Sequence, residues 1–415
     1  MKALLLLPAI MISYSSVADQ PAGQADKLKI DFVSYHFENG SPLCWSIQGD
    51  TLLRIQLFPD YERESLNRQT THWHFRVEAD SGTNLRISVS KMLKEIYNGS
   101  ESGEWWNRAH PISCYISYDK KHWIPVDTRL NDDREVLVNF VMQKNYVYIA
   151  RLPAYTITDL EEMKARYAGR SDFNVIRIGS SLEGRPLEII RLGSENAPHS
   201  VIIRARAHPW EPGGNWVAEG LIARYLGEKN AEQKKTYCVY IMPMTSADGV
   251  YRGMTRFNTA GMDPNRKWDA MADPALCPEK YALEKFLEKL GKMDRKPDLG
   301  IDIHNDDAGG ISFSTHPAGD SLYLHDARNL EKLMRQHTCF SEKAEYTWEE
   351  PGQKAKFVLF EDGLLKRFGI EALVWELNAN WIKSVSGMPA QVDWIQTGEG
   401  LNTVFYEYFR TLSVK

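Results

Sequence analysis

Near residue 153 the hydrophobic pattern of this chain changes period, and that change divides it into two kinds of structure. From about 27 to 153 the apolar residues fall in short alternating segments: "KLKIDFVSYHF", "DTLLRIQLF", "HWHFRVEA", "NLRISVS", "CYISYD", "EVLVNFVM" and "YVYIARL". Clusters of Asn, Asp, Gly, Ser and Pro separate them. Successive side chains of a strand point to opposite faces, so each segment buries one face and wets the other. Repeated at this spacing, the pattern predicts an antiparallel β-sandwich. The stretch "LPAYTITDLEEMKARYA" (152–168) reads as a linker passing into a helix. Beyond it, continuously apolar strands alternate with helical stretches. Strands apolar on both faces need cover on both, which an α/β domain supplies.

Within the second half, "SVIIRARAH" (200–208), "TYCVYIMPM" (236–244), "DLGIDIH" (298–304) and "IEALVWELN" (370–378) read as strands. "GGNWVAEGLIARYLGE" (213–228), "EKYALEKFLEKL" (279–290) and "NTVFYEYFRTL" (402–412) read as helices. A chain of 415 residues, 43% hydrophobic and 25% charged, has room for two domains with large cores. A net charge of −5 leaves no basic footprint, which argues against a nucleic-acid partner. The opening "MKALLLLPAIMISYSSVADQ" sets Lys2 before an apolar run and small residues ending at Ala18. That is the layout of a cleaved secretory signal, so a periplasmic or secreted protein is expected. No later run approaches the ~20 apolar residues of a membrane span. The expected division is a signal over 1–18, a sandwich over 19–153 and a catalytic domain over 154–415. Five cysteines without a C-x-x-C pair exclude a thiolate zinc knot, and they leave disulfide pairing and oligomeric state open.

A His-x-x-Glu pair, His208 and Glu211, follows the first of these strands. On its own such a pair is ordinary, because both residue types are common and short motifs recur by chance. His304 ends another strand, however, and Glu376 lies near the end of a third. In open α/β sheets, ligands bind beyond the carboxyl ends of the strands, where residues distant in sequence converge. Two imidazoles and the Glu211 carboxylate leave a fourth tetrahedral position open, as a catalytic zinc requires. Between these strands, "TSADGVYRGMTRFNTAGMDPNRKW" (245–268) is a loop carrying Arg256, Asn265 and Arg266. Arginine offers a planar fork to a carboxylate, and asparagine adds a donor. Asp263 is placed to orient a ligand histidine.

At these residues the chain resembles the M14-type zinc carboxypeptidases, most closely the cytosolic carboxypeptidase-like branch. The resemblance rests on "ARAHPWE", "SADGVYRGMTRFNTAGMDPNR", "DIH" and "VWEL", in family order. Earlier, "HWHFRVEADSGTNLRISVSKM" and "NYVYIARLPAYTITDL" resemble the β-sandwich that precedes the catalytic domain in that branch. The resemblance implies a mixed-sheet α/β catalytic domain with one Zn2+ on His208, Glu211 and His304. It also implies Asn265 and Arg266 on the substrate's terminal carboxylate, Arg256 on the scissile carbonyl, Glu376 as general base and Asp263 behind His208. Two departures stand out. Asn305 and Asp306 occupy the place where the branch carries a further histidine, and Trp210 replaces a smaller residue, which is expected to narrow the mouth of the site.

The expected activity is therefore that of an exported metallocarboxypeptidase cleaving the last residue from a peptide. Lys356, directly before "FVLF", is the expected basic floor that would favour acidic termini or cell-wall peptides. A zinc-dependent N-acyl amino acid deacylase and a non-catalytic peptide- or carbohydrate-binding protein are the alternatives.

Overall fold

Side-chain alternation builds the first domain. The structure, a computed structural model, describes residues 29–63, 67–90, 94–96, 110–227, 230–349 and 358–412. The expected signal over 1–18 lies outside them. The first strands are β1 (Ile30–Ser34), β2 (Leu43–Gln48), β3 (Leu52–Leu57), β4 (Asn67–Gln69), β5 (His74–Ala79) and β6 (Asn84–Ser90). They are followed by β7 (Lys94–Ile96), β8 (Cys114–Ser117), β9 (Ile124–Val126), β10 (Thr128–Leu130), β11 (Val136–Val141) and β12 (Tyr146–Ala150). One sheet runs β1-β5-β12-β8-β9 and is antiparallel throughout. The other runs β10-β11-β6-β3-β2. Leu53 and Ile55 alternate with exposed Arg54 and Gln56, and they meet Phe75, Val77, Ile87 and Ile149 in one core. The sandwich departs from the antiparallel expectation at one pair, β3 with β6, which is parallel. Between these two strands the chain crosses to the opposite sheet as β5, and a parallel neighbour needs such a crossover.

The second domain starts at α1 (Ile157–Tyr167), opened by a capping box in which the Thr156 hydroxyl accepts from Asp159 N and Asp159 accepts from Thr156 N. Next come β13 (Phe173–Ser180), β14 (Pro186–Leu192), β15 (His199–Ala205), α2 (Gly213–Tyr225), α3 (Ala231–Thr236), β16 (Tyr237–Met242), α4 (Ala247–Tyr251) and α5 (Pro278–Lys292). The chain ends with β17 (Leu299–Asp306), β18 (Gly310–Phe313), α6 (Ser321–His337), β19 (Ala344–Glu345), α7 (Phe360–Phe368), β20 (Glu371–Asn378) and α8 (Gln391–Thr411). The sheet order is β13-β14-β16-β15-β17-β20-β18-β19. Its centre, β16-β15-β17-β20, is parallel, with antiparallel neighbours on both sides, so the sheet is mixed. Val201 and Ile203 pack towards α2, α6 and α8, whereas Ile202 packs towards α5 and α7. That is why the strands read as continuously apolar. The edge hairpin β13–β14 was not expected, and α8 starts well before the expected 402. α2 and α8 approach closely through two glycines: a Cβ at Gly220 would lie 1.9 Å from Ile395 O, and one at Gly398 1.9 Å from Val217 O. Among the described residues no helix is long and apolar enough to cross a membrane.

Candidate active site

Strand register assembles the centre. In the parallel core, Arg204 of β15 pairs with Asp302 of β17, and His304 of β17 pairs with Glu376 of β20. Asp302 and His304 are two residues apart and so share a face. His208 and Glu211 arrive from the turn between β15 and α2. Arg206 shapes that turn from the left-handed region, at φ 61°. Its guanidinium is buried, donating to Pro209 O at 2.7 Å and Asn215 Oδ1 at 2.9 Å. Asn305 ties the start of α2 to β20: its Oδ1 accepts from Gly213 N at 2.8 Å, and its Nδ2 donates to Leu377 O at 3.1 Å. The residue that departs from the family pattern is thus a structural brace. Trp210 does not narrow a mouth as expected. It is 1% exposed and sits in the core, with Arg151 over its ring at 5.8 Å, because the turn folds it beneath the sheet's end.

His208, Glu211 and His304 are all buried, and their ligating atoms lie within 4.8 Å of one another. His208 Nδ1 is 2.8 Å from Glu211 Oε1, and His304 Nδ1 is 2.7 Å from Glu211 Oε2. The two Nδ1 atoms are 3.1 Å apart. Each ring's far nitrogen faces a carboxylate: His208 Nε2 lies 3.2 Å from Asp263 Oδ1, and His304 Nε2 lies 2.7 Å from Asp302 Oδ2. A proton on each Nε2 satisfies those carboxylates and leaves both Nδ1 lone pairs facing the centre. This is the carboxylate–histidine arrangement of metal sites. The donor set of two imidazoles and a carboxylate fits Zn2+. Burial opposes ionisation of Glu211, yet His208 and His304 hold it below the usual carboxylate range. Burial likewise works against a charged His304, but Asp302 and Glu211 raise it well above the usual imidazole range. The centre therefore favours positive charge.

Asp263 is the hub beside it. Its carboxylate accepts from Arg256 Nε at 2.9 Å and from Asn265 N at 2.9 Å, pairs with Arg256 Nη2 at 2.8 Å, and lies 3.9 Å from Arg266 Nη1. Burial pushes this carboxyl up, but Arg256, Arg266 and His208 hold it well below the usual range. Asn265 comes to the cluster with Nδ2 3.2 Å from His304 Nε2. Its Oδ1 accepts from Arg204 Nη2 at 2.8 Å and Phe360 N at 3.3 Å, so in this conformation the amide is engaged inside the protein. Burial drives the Glu376 carboxyl well above the usual range, with Asp306, Glu211 and Asp302 adding to this and His304 opposing it. Its Oε2 is buried without a hydrogen-bond partner. Lys356 lies outside the described residues. The structure instead places a buried carboxyl at Glu361, where α7 begins. Burial lifts it to about 8, and its Oε2 has no partner.

Arg204 and Asp302 were not singled out in the sequence, although a signal was present. Each is a charge with apolar neighbours on both sides, Ile203 and Ala205 for Arg204 and Ile301 and Ile303 for Asp302, and buried charges must be paired. Asp302 accepts from Arg204 Nε at 2.8 Å, and Arg204 also donates to Pro264 O at 3.1 Å.

Two family models match the chain: a zinc carboxypeptidase model over residues 157–293, and a cytosolic carboxypeptidase N-terminal domain model over 33–152. The chain thus carries an M14 zinc carboxypeptidase domain preceded by a cytosolic carboxypeptidase N-terminal domain. The matched domain is that of a hydrolase of the metallocarboxypeptidase class, whose family metal is one Zn2+. Human cytosolic carboxypeptidase 1 is 32% identical over 251 residues, covering 54% of this chain but only 20% of the human protein. An uncharacterized Zymomonas mobilis protein is 27% identical over 277 residues, covering 63% of this chain and 68% of that one. The metallo-carboxypeptidase of Burkholderia cenocepacia superposes with a TM-score of 0.75 at 20% identity, covering 92% of this chain and 99% of its own. That of Pseudomonas aeruginosa, solved with (2-guanidinoethylmercapto)succinic acid, gives 0.77 at 19%, covering 92% and 100%. At such identities these two structures speak for a shared fold alone.

Proposed function

We propose that this M14 protein removes the C-terminal residue of peptides after export to the periplasm or the exterior. The observation that carries the reading is the buried His208–Glu211–His304 cluster, both histidines backed by carboxylates, with Glu376 in register beside His304. Zinc held there supplies Lewis acidity, polarising a carbonyl and lowering the pKa of water. Glu376 takes the attacking water's proton and returns it to the leaving amine. Its position on a rigid central strand keeps that carboxylate aimed at one place. Arg256 stabilises the developing oxyanion, while Asn265 and Arg266 receive the terminal carboxylate. A chain end alone offers a carboxylate there, which supports exopeptidase rather than endopeptidase action. The "MKALLLLPAIMISYSSVADQ" opening supports export.

The terminal side chain divides two readings. Lys356 as the basic floor selects Glu, Asp or the free carboxylate of a cell-wall peptide. The buried Glu361 carboxyl, with its Oε2 unpartnered, favours the opposite, a Lys or Arg terminus, which would pair with the carboxyl and draw it into its ionised form.

The test is Glu376→Gln in the zinc-loaded protein. Zinc content and peptide affinity should stay near wild type while turnover disappears, because the amide neither accepts nor returns the proton. Glu371, which pairs with His316 Nε2 at 2.9 Å, is the control, and Glu371→Gln should remain active. Loss of activity in the control alone would reject the assignment. Peptides ending in Glu, Lys or Phe, assayed with Lys356→Ala and Glu361→Gln, separate the two specificities. Cleavage of N-acetyl amino acids in preference to peptides would replace the peptidase reading with a deacylase. Peptide binding with no cleavage of any substrate would leave a binding protein.

A further inference from the structure

Arg256 stands on a loop that is held from outside its own domain. On one flank, Asn39 of the sandwich donates from N to Tyr251 O at 3.0 Å and from Nδ2 to Val250 O at 3.1 Å. On the other, Arg63 N donates to Gly261 O at 2.9 Å. Gly253, at φ 65°, sits so close to the sandwich that a Cβ there would lie 2.2 Å from Gly40 O. Between these flanks, three successive backbone N–H groups converge on one side chain. Asp60 accepts from Thr255 N at 3.0 Å, from Arg256 N at 2.6 Å and from Phe257 N at 3.2 Å. Such a row of N–H groups forms a concave anion site, and here a carboxylate of the neighbouring domain fills it. From the same residue, the Arg256 side chain turns to Asp263, whose other oxygen faces His208.

We propose that Asp60 is a positioning residue for catalysis: it fixes the backbone of Thr255–Phe257 so that the Arg256 guanidinium is held on Asp263, beside the ligand histidine His208. The sandwich is thereby a working part of the active site. This rests on the role assigned to Arg256 above. All three N–H groups reach Oδ2, and Thr255 N also reaches Oδ1 at 3.0 Å, so an asparagine with its oxygen at the Oδ2 place loses the charge that holds the row together and sets an NH2 group against Thr255 N. Losing one oxyanion donor typically costs ~10²–10³ in rate, which sets the ceiling for the effect of Asp60.

The experiment is a double-mutant cycle on the zinc-loaded full chain, with kcat, KM, zinc content and Tm read for Asp60→Asn, Arg256→Ala and the pair. Asp60→Asn should lower kcat ~10-fold or more with little change in KM, while zinc content stays stoichiometric. In the Arg256→Ala background it should add nothing, because a residue acting only through Arg256 has no further effect once that side chain is gone. Asp60→Glu keeps the charge but moves it by one methylene, and it should lose less activity than Asp60→Asn with the same non-additivity. Should Asp60→Asn fail to fold, the Asp60→Glu cycle decides alone. Losses that multiply in the double variant, or a wild-type kcat in Asp60→Asn, overturn the proposal. A wild-type kcat in Arg256→Ala removes the underlying reading of Arg256, and the proposal with it.

Discussion

Asp302→Asn tests how the centre is supported. Asp302 is fully buried, with Oδ1 accepting from Arg204 Nε at 2.8 Å and Oδ2 shared between Arg204 Nη2 and His304 Nε2, the latter at 2.7 Å. Burial works to raise its pKa, but the Arg204 charge and His304 hold it below the usual carboxylate range. A depressed acid contributes stability above its unfolded pKa, and that contribution is lost only as pH falls through the folded value. At neutral pH the pair is therefore intact. Substitution leaves the Arg204 guanidinium buried without its counter-charge, and breaking a buried pair costs ~3–5 kcal/mol. Arg204 keeps Pro264 O and Asn265 Oδ1, and it lies 5.0 Å from the Trp268 ring and 4.5 Å from that of Phe360. The low end, ~3 kcal/mol, is thus expected for the metal-free protein.

The second effect falls on the metal. Without an anionic acceptor, His304 Nε2–H is no longer fixed, and loss of such a partner typically lowers metal affinity 10- to 100-fold. At ~1.4 kcal/mol per tenfold, the stability gained on adding zinc should shrink by ~1.4–2.8 kcal/mol. Urea unfolding with zinc and with chelator, together with a competition titration for zinc, reads both quantities. A metal-free Asp302→Asn within ~1 kcal/mol of wild type, with an unchanged zinc increment, would refute the reasoning.

Two pH dependences follow from other buried groups. Burial lifts Glu279 from 4.5 to about 7, so the native state binds its proton more tightly than the unfolded chain, and stability falls as pH rises through that window. Glu279→Gln, which keeps an acceptor for Asn258 Nδ2, should gain up to ~3 kcal/mol at pH 8 relative to pH 5, read as the change in Tm against pH. His72, in the seam between the domains, is lowered from 6.5 to about 3 by burial and by the Arg206 charge. Its proton enters the unfolded chain first, so stability is lost as pH falls from about 6.5 towards 3, and His72→Gln should flatten the Tm profile over that range.

Much of the architecture was legible because it follows from periodicity. Leu53 and Ile55 alternating with Arg54 and Gln56 announce a half-buried strand, and "SVIIRARAH" announces a strand covered on both faces. The parallel β3–β6 pair was not legible, since alternation fixes which face a residue takes but not the direction of its neighbour. Nor was the start of α8, where Trp394 and Leu401 lie in the core although Gly398 and Gly400 interrupt the helical pattern. Glycine weakens an isolated helix, but Gly398 is needed where α8 meets α2, so packing overrides propensity there.

The candidate site divides along the same physical line. His208, Glu211, His304 and Glu376 could be picked out because strand ends gather ligands, and chemically rare residues at strand ends are visible in a sequence. Arg204 and Asp302 were visible as charges but lacked partners on the page, because their pairing is a matter of sheet register. Asp60 had no signal at all. It serves three backbone N–H groups, and a backbone donor has the same chemistry in every residue except proline, so no residue type at 255–257 betrays the contact. The same reasoning explains why Glu361 and Lys356 point to opposite specificities. A charge near the site in sequence acquires meaning only from what surrounds it, and for Glu361 that is a buried position with an oxygen left unpartnered, which is the condition under which a cationic terminus is favoured.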